Sequence, residues 1–263
     1  MEGISIMKIL GRTQMINAID YQDAISRLMA CGFDGIEINI YNREFVLRDE
    51  VFAPGFVEKI TDILRENHVN TYIVGAHCDY MGDDERFSLI KKVVAITAAI
   101  KAPLMIITGG MKQEGMDEQY LWDENIKRTK ELCIEAEKYD IKLALEFEPG
   151  FIIDSTKLAL KAIREINSPA LALNADVGHI FLQDENPMEA IENSGAYIIH
   201  THFENMEKGV HNHLLPDIGD MDLPQYIKKL KAVGFTGDSS LDVYQYDYEK
   251  IAPQAIRYLK SII

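Results

Sequence analysis

Short apolar runs alternate along this chain with longer amphipathic ones. Ile4–Leu10 reads as a strand, and Asp20 then caps a helix with Ala24, Ile25, Leu28 and Met29 on one face. That helix stops at Gly32. Gly35–Ile40 is the second strand, followed by a helix over Phe56–Asn67. Thr71–Ala76 is the third, with its helix at Phe87–Ile100, and Leu104–Thr108 the fourth, with a long helix over Asp123–Tyr139. Ile141–Phe147 is the fifth, before a helix from Ser155 to Ile166. Leu171–Ala175 is the sixth, with a short helix around Pro187–Asn193. Ala196–Phe203 is the seventh; a long loop leads to a helix over Leu223–Val233. Asp238–Val243 is the eighth, and Glu249–Ile263 closes the chain as a helix.

Eight strands, each followed by a helix with no Pro/Gly-rich linker between halves, imply a parallel sheet. Eight βα units in about 250 residues is the count at which such a sheet closes. The expectation is an α/β fold, a (β/α)8 TIM barrel forming a single domain over residues 1–263. An open doubly wound sheet is the competing architecture. It is disfavoured because no GxGxxG or GxxxxGK[ST] run follows the first strand.

Composition narrows the class of partner. The 263 residues are 47% hydrophobic, enough for a substantial core and inconsistent with disorder. Acidic residues outnumber basic ones 42 to 27, a net charge of −15 that opposes a phosphate backbone. No nucleic-acid partner is expected. Cys31, Cys78 and Cys133 form no CxxC pair, which fits a reduced, cytoplasmic chain. The first residues lack a signal-type apolar region, and the most apolar stretch, Val93–Thr108, is broken by Lys101 and Pro103. No membrane partner is expected either, while a homo-oligomer is compatible with the sequence.

The histidines and carboxylates carry the chemistry. A barrel places its reacting groups at strand C-termini and in the following loops. His77 ends strand three, His179 follows strand six, His200 and His202 lie in strand seven, and His211 and His213 follow it. Only His68 falls elsewhere. Glu37, Glu146, Glu148, Asp176 and Asp242 end strands two, five, six and eight. Residues at i and i+2 share a strand face, so Glu146 and Glu148 point alike, as do His200 and His202. So many buried ionisable groups at one mouth call for a compensating cation. Taken singly, each has a plainer reading: Asp176 as a cap of the following turn, His77 as a hydrogen-bonded rim residue, His211 and His213 as exposed loop residues.

The runs GFDGIEIN (33–40), HCDY (77–80), LALEFEPG (143–150), LNADVGH (173–179), HTHFEN (200–205) and HLLPDIGDMD (213–222) resemble the xylose isomerase-like barrel superfamily. That group includes sugar isomerases, ketose 3-epimerases, sugar-acid dehydratases and endonuclease IV. The resemblance to the ketose 3-epimerases implies one divalent metal held by Glu146, Asp176, His202 and Asp242. Asp242 stands where the epimerases carry a glutamate that also exchanges a proton with substrate. The DxxH of strand six is intact as Asp176 and His179, where the family's histidine contacts substrate, and Asp217 replaces the first glycine of an HxxPGxGxxD loop.

The resemblance thus implies a metal-dependent sugar isomerase or epimerase acting on a small keto sugar or related polyol. Glu146 and Asp242 would be the catalytic pair on opposite faces of an enediolate, with His77, Glu148, His179, Glu204 and His213 as substrate-binding residues. Three carboxylates and one imidazole favour Mn2+, with Mg2+, Co2+ or Zn2+ as alternatives. A dehydratase or lyase would keep the metal and draw its acid from Glu148, Glu204 or His179. Endonuclease IV would use His77, His179, His211 and His213 as further zinc ligands, but Thr108 stands where it has a histidine and His211 where it has an aspartate. A non-catalytic sugar-binding barrel is the remaining alternative. Arg12, Lys112 and Lys208 are loop cations by this reading, available to a phosphorylated substrate.

Overall fold

A computed structural model describes residues 7–263. The strands are β1 (Ile9–Arg12), β2 (Gly35–Asn39), β3 (Tyr72–Ala76), β4 (Leu104–Thr108), β5 (Lys142–Glu146), β6 (Leu171–Asp176), β7 (Ile198–Phe203) and β8 (Asp238–Leu241). Each pairs in parallel with its sequence neighbours, and β1 pairs with β8, so the sheet closes into an eight-stranded barrel. Around it lie α1 (Tyr21–Ala30), α2 (Phe56–Glu66), α3 (Asp84–Ala99), α4 (Glu118–Glu137), α5 (Thr156–Ile166), α6 (Val177–Gln183), α7 (Pro187–Ser194), α8 (Leu223–Ala232) and α9 (Tyr248–Ile262). None of the described helices is long and apolar enough to cross a membrane.

The pleat divides each strand between two environments. Outward residues such as Ile36, Ile38, Leu143 and Leu145 join the large apolar layer under the helices. Inside the barrel, Leu10, Ile73, Leu104, Ile106 and Ala144 form a small separate apolar cluster. Two residues further along the strands, the inward positions turn polar or charged: Arg12, Glu37, Asn39, Glu146, Asn174, Asp176 and His202 are all buried. The apolar layer is a floor, and the polar layer above it is the mouth. Cross-strand register aligns this upper layer, with Arg12 opposite Glu37, Thr108 opposite Glu146 and Asp176 opposite His202.

The structure corrects several boundaries. The first strand begins at Ile9, and residues 4–6 of the expected Ile4–Leu10 strand lie outside the described residues. Arg12 is therefore a strand residue and not a loop cation. α3 and α4 start at Asp84 and Glu118, earlier than expected, because Asp83 and Asp117 cap polar first turns that hydrophobic periodicity does not mark. α6 was not anticipated; its seven residues are too few to show a helical period, and Asp176 caps it by accepting from the His179 amide at 2.8 Å. β8 ends at Leu241, which puts Asp242 just past the strand.

Candidate active site

Four expected residues converge at the mouth. Glu146 and Asp176 end their strands, His202 is the inward residue near the end of β7, and Asp242 follows β8. Each offers a ligand atom, all within 4.8 Å of one another, and all four residues are buried. His202 Nδ1 lies 3.3 Å from Glu146 Oε2, 3.5 Å from Asp242 Oδ2 and 3.7 Å from Asp176 Oδ2. Neither Nδ1 nor Asp176 Oδ2 has a hydrogen-bond partner.

The surrounding polar residues fix these orientations. His202 Nε2 donates to Glu37 Oε2 at 3.1 Å, which commits that nitrogen and leaves Nδ1 facing the three carboxylates. Glu37 Oε1 in turn accepts from Arg12 Nε at 3.1 Å and from Asn39 Nδ2 at 2.7 Å. A Cβ at Gly75 would collide with both Glu37 and Asn39, so glycine there leaves room for the pair. Asn174 Nδ2 donates to Glu146 Oε2 at 2.6 Å. Tyr41 donates its hydroxyl to His77 Nδ1, so His77 Nε2 donates to the same Glu146 oxygen. Arg12 Nη1 pairs with Asp242 Oδ1, leaving Oδ2 for the centre.

Charge follows this wiring. Burial works to raise the Glu37 carboxyl, but Arg12 and His202 outweigh it and hold Glu37 well below its ordinary value. Burial is likewise overcome at Glu146 by His202 and His77, and at Asp242 by Arg12 and His213. All three are carboxylates at neutral pH. Burial pushes Glu148 the other way, up to about 7. His179 is held up to about 9 because Asp176 and Glu148 outweigh its burial. Burial works to lower His202, but Glu146 and Glu37 outweigh it and hold the imidazole well above its ordinary value; a hard divalent cation bound among the carboxylates would take the place of the Nδ1 proton.

The remaining predicted residues divide into three groups. His77, Glu148 and His213 line a cavity of about 590 Å³ that opens over the centre, together with Phe45, Met111 and Tyr244. His179 is buried behind His211, donating Nδ1–H to the Phe147 carbonyl at 2.8 Å, with Nε2 3.0 Å from His211 Nε2. Glu204 does not line the cavity; it is fully buried, and its Oε1 accepts from the Gly178 amide at 2.6 Å. Its expected contact with substrate is therefore corrected: α6 lies against it. His200 points inward as expected but one layer deeper, 3.0 Å from Ser240 Oγ, so it is not a rim residue. Arg12 was expected only as a loop cation for a phosphorylated substrate, and Asn39, Tyr41, Gly75 and Asn174 were not anticipated as site residues. The i, i+2 pairs Glu37/Asn39 and Asn174/Asp176 held the signal for two of them.

The profile of the xylose isomerase-like TIM barrel family matches residues 25–262. The chain belongs to that family. An uncharacterized protein of Methanocaldococcus jannaschii is 31% identical over 126 residues, 46% of this chain and 43% of that protein, so the chain matches less than half of that relative. The 3-dehydroshikimate dehydratase of Bacillus anthracis is 22% identical over 80% of this chain and 74% of its own. The inosose isomerase of Bacillus subtilis is 20% identical over 88% and 86%. Among solved structures, D-psicose 3-epimerase of Clostridium cellulolyticum with D-tagatose superposes with a TM-score of 0.81 at 14% identity, covering 97% of this chain and 99% of that one. The IolI protein with a zinc atom gives 0.76 at 19%, covering 97% and 96%. These relatives comprise epimerases, isomerases and a dehydratase on one barrel.

Proposed function

We propose that the chain is a divalent-metal-dependent isomerase or epimerase acting on a keto sugar or related polyol. The observation that carries this reading is His202 Nδ1, buried, without a partner and facing Glu146, Asp176 and Asp242. These four residues would hold the ion, with Mn2+ favoured by the oxygen-rich set. An ion held there would supply Lewis-acid polarisation of a substrate carbonyl, which acidifies the neighbouring C–H. Zinc on the IolI barrel supports a divalent ion in this fold. D-tagatose on the psicose epimerase supports a ketose-like substrate.

Glu146 is the proton-transfer residue in this reading. It stands at the cavity floor as a carboxylate, positioned by His77 and Asn174. Asp242 would face the opposite side of the enediolate, as two-base epimerisation requires. His213 and Glu148 line the cavity where they can contact hydroxyls. The reading is tested by incubating the protein and Mn2+ with ketoses in deuterated water: deuterium at one carbon beside the carbonyl supports enolisation, and its absence across the ketoses opposes it.

One observation favours a second reading, elimination to a dehydrated or lyase product. Arg12 engages Asp242 Oδ1 and holds that carboxyl low, which suits a ligand better than an acid. Glu148, pushed up by burial to about 7, lines the cavity and sits 3.8 Å from His179 and 3.5 Å from His211. The dehydratase relative is in keeping with this chemistry. A product lighter by water or an aglycone would establish it.

A further inference from the structure

The cavity over the centre has a polar floor and an apolar wall. The floor carries Glu146, Asp242, His77 and His213, and the wall is formed by Phe45, Met111, Phe151 and Tyr244. Tyr244 joins the two, its ring centre 4.9 Å from that of His213 and 6.4 Å from that of Phe45. The polar side chains on the wall side are occupied. Both Asp79 carboxylate oxygens accept loop amides, from Met81 at 2.8 Å and from Met111 at 3.3 Å. Arg86 donates to the Asp79 carbonyl at 2.9 Å and lies 3.7 Å from Asp83, while Arg12 is held by Glu37 and Asp242. Both arginines of the cavity are thus engaged, and among the described residues no lysine lines it, which suits an uncharged group.

Phe45 is held at this wall under strain. Its backbone sits at φ 58°, in the left-handed region, where a bulky side chain is an outlier. Asn42 braces the turn: its side-chain oxygen accepts from the Glu44 and Val46 amides, each at 3.0 Å, and its carbonyl from the Phe45 amide at 3.0 Å. Arg43 donates to the Tyr244 carbonyl, tying the turn to the chain just past β8. The Phe45 ring lies nearly parallel to those of Tyr41 and Tyr244, at 17° and 16°, yet 52% of the residue is exposed. Strain that keeps an aromatic face open at the mouth of a reaction cavity points to a group that stacks there.

Size gives an independent argument. A ketohexose has roughly a dozen heavy atoms and, at a generous ~30 Å³ for each, fills no more than about 360 Å³. The cavity of about 590 Å³ leaves on the order of 200 Å³ beyond the sugar, room for an aromatic ring.

We propose that the substrate is a keto-glycoside with an uncharged aromatic aglycone. Its sugar lies over Glu146 and Asp242, and its aglycone stacks on Phe45 and packs against Met111, Phe151 and Tyr244. The inference rests on the keto-sugar reading of the floor and narrows that reading to a substrate class.

Phenyl and methyl β-D-glucosides carry no ketone, so they cannot enolise and their affinities differ only through the group at the wall. Calorimetric titration of each into the Mn2+-loaded full chain should show the phenyl glucoside binding at least about tenfold more tightly. Phe45→Gly relieves the positive φ and should bring the two affinities within about threefold of each other. Phe45→Leu restores apolar bulk without a flat face and should leave the ratio equally low. Equal affinities in the wild type, or a phenyl glucoside that does not bind, overturns this inference alone, because deuterium exchange into a ketose tests the isomerase reading separately. A tenfold ratio kept by Phe45→Gly overturns the role of Phe45, and one restored by Phe45→Leu overturns an aromatic aglycone in favour of any apolar one.

Discussion

Glu37 and His202 meet on the floor of the barrel mouth, with His202 Nε2 3.1 Å from Glu37 Oε2 and both side chains fully buried. This contact sets which imidazole nitrogen is free. Without it His202 can rotate or change tautomer, and Nδ1 no longer faces Glu146, Asp176 and Asp242. Glu37→Gln keeps the shape and removes the charge. It should weaken Mn2+ binding by about 10–100-fold, the usual effect of losing the carboxylate behind a ligating histidine. Calorimetric titration of Mn2+ into the chelator-stripped variant checks this; an affinity equal to wild type would refute the role of Glu37.

Arg12 bridges two carboxylates, Glu37 through Nε and Asp242 through Nη1, and Gln14 Oε1 accepts from Nη2 at 3.2 Å. Removing it strands two buried anions. Arg12→Met should cost about 3–5 kcal/mol of stability in the metal-free protein, as expected for breaking a buried ion pair from one side. Arg12→Lys should recover only part of this, since a single ammonium cannot reproduce the planar fork. Urea unfolding of the three proteins measures it, and a lysine variant as stable as wild type would show that only the charge matters.

The barrel itself was legible in the sequence. β4 and the apolar cores of β2 and β5 follow from alternating runs, and closure follows from counting eight of them. The four converging residues were named through the resemblance to the ketose 3-epimerases; the pleat alone gave only that Glu146 and Glu148, and His200 and His202, share faces. Arg12 was not legible: its strand was ended at Leu10, two residues too early, so the guanidinium fell in a supposed loop. Glu204 was assigned to the cavity because sequence gives a residue's distance along β7 but not that α6 would cover it. His200 shares a face with His202 but not a depth, and depth depends on the barrel's shear. Pairings across the mouth, such as Arg12 with Asp242, join opposite ends of the chain and leave no local trace.

His200 gives a pH signature. Burial drives its imidazole down to about 3, so the folded chain keeps it neutral well below the ordinary value of 6.5. As pH falls below 6.5, the unfolded chain binds a proton at this position that the folded chain does not. Stability from His200 is therefore full above pH 6.5 and declines as pH falls towards about 3. The slope is about 1.4 kcal/mol per pH unit for one proton. Glu148, raised to about 7, and His211, lowered to about 4, also titrate in this range, so the His200 contribution is the difference between wild type and a His200 variant. Thermal or urea melts with chelator present should show His200→Asn with a shallower decline there than wild type; an unchanged slope would mean His200 is already protonated in the fold.

Glu146 is the residue proposed to move a substrate proton beside a bound cation. The most direct measurement is deuterium uptake from solvent into a turned-over ketose, with Mn2+ present, compared between wild type and Glu146→Gln. Label is expected at one carbon adjacent to the carbonyl in wild type, with uptake at least about 100-fold slower in the variant, in line with about 10²–10⁴-fold for loss of a general base. Full uptake by Glu146→Gln would contradict that role.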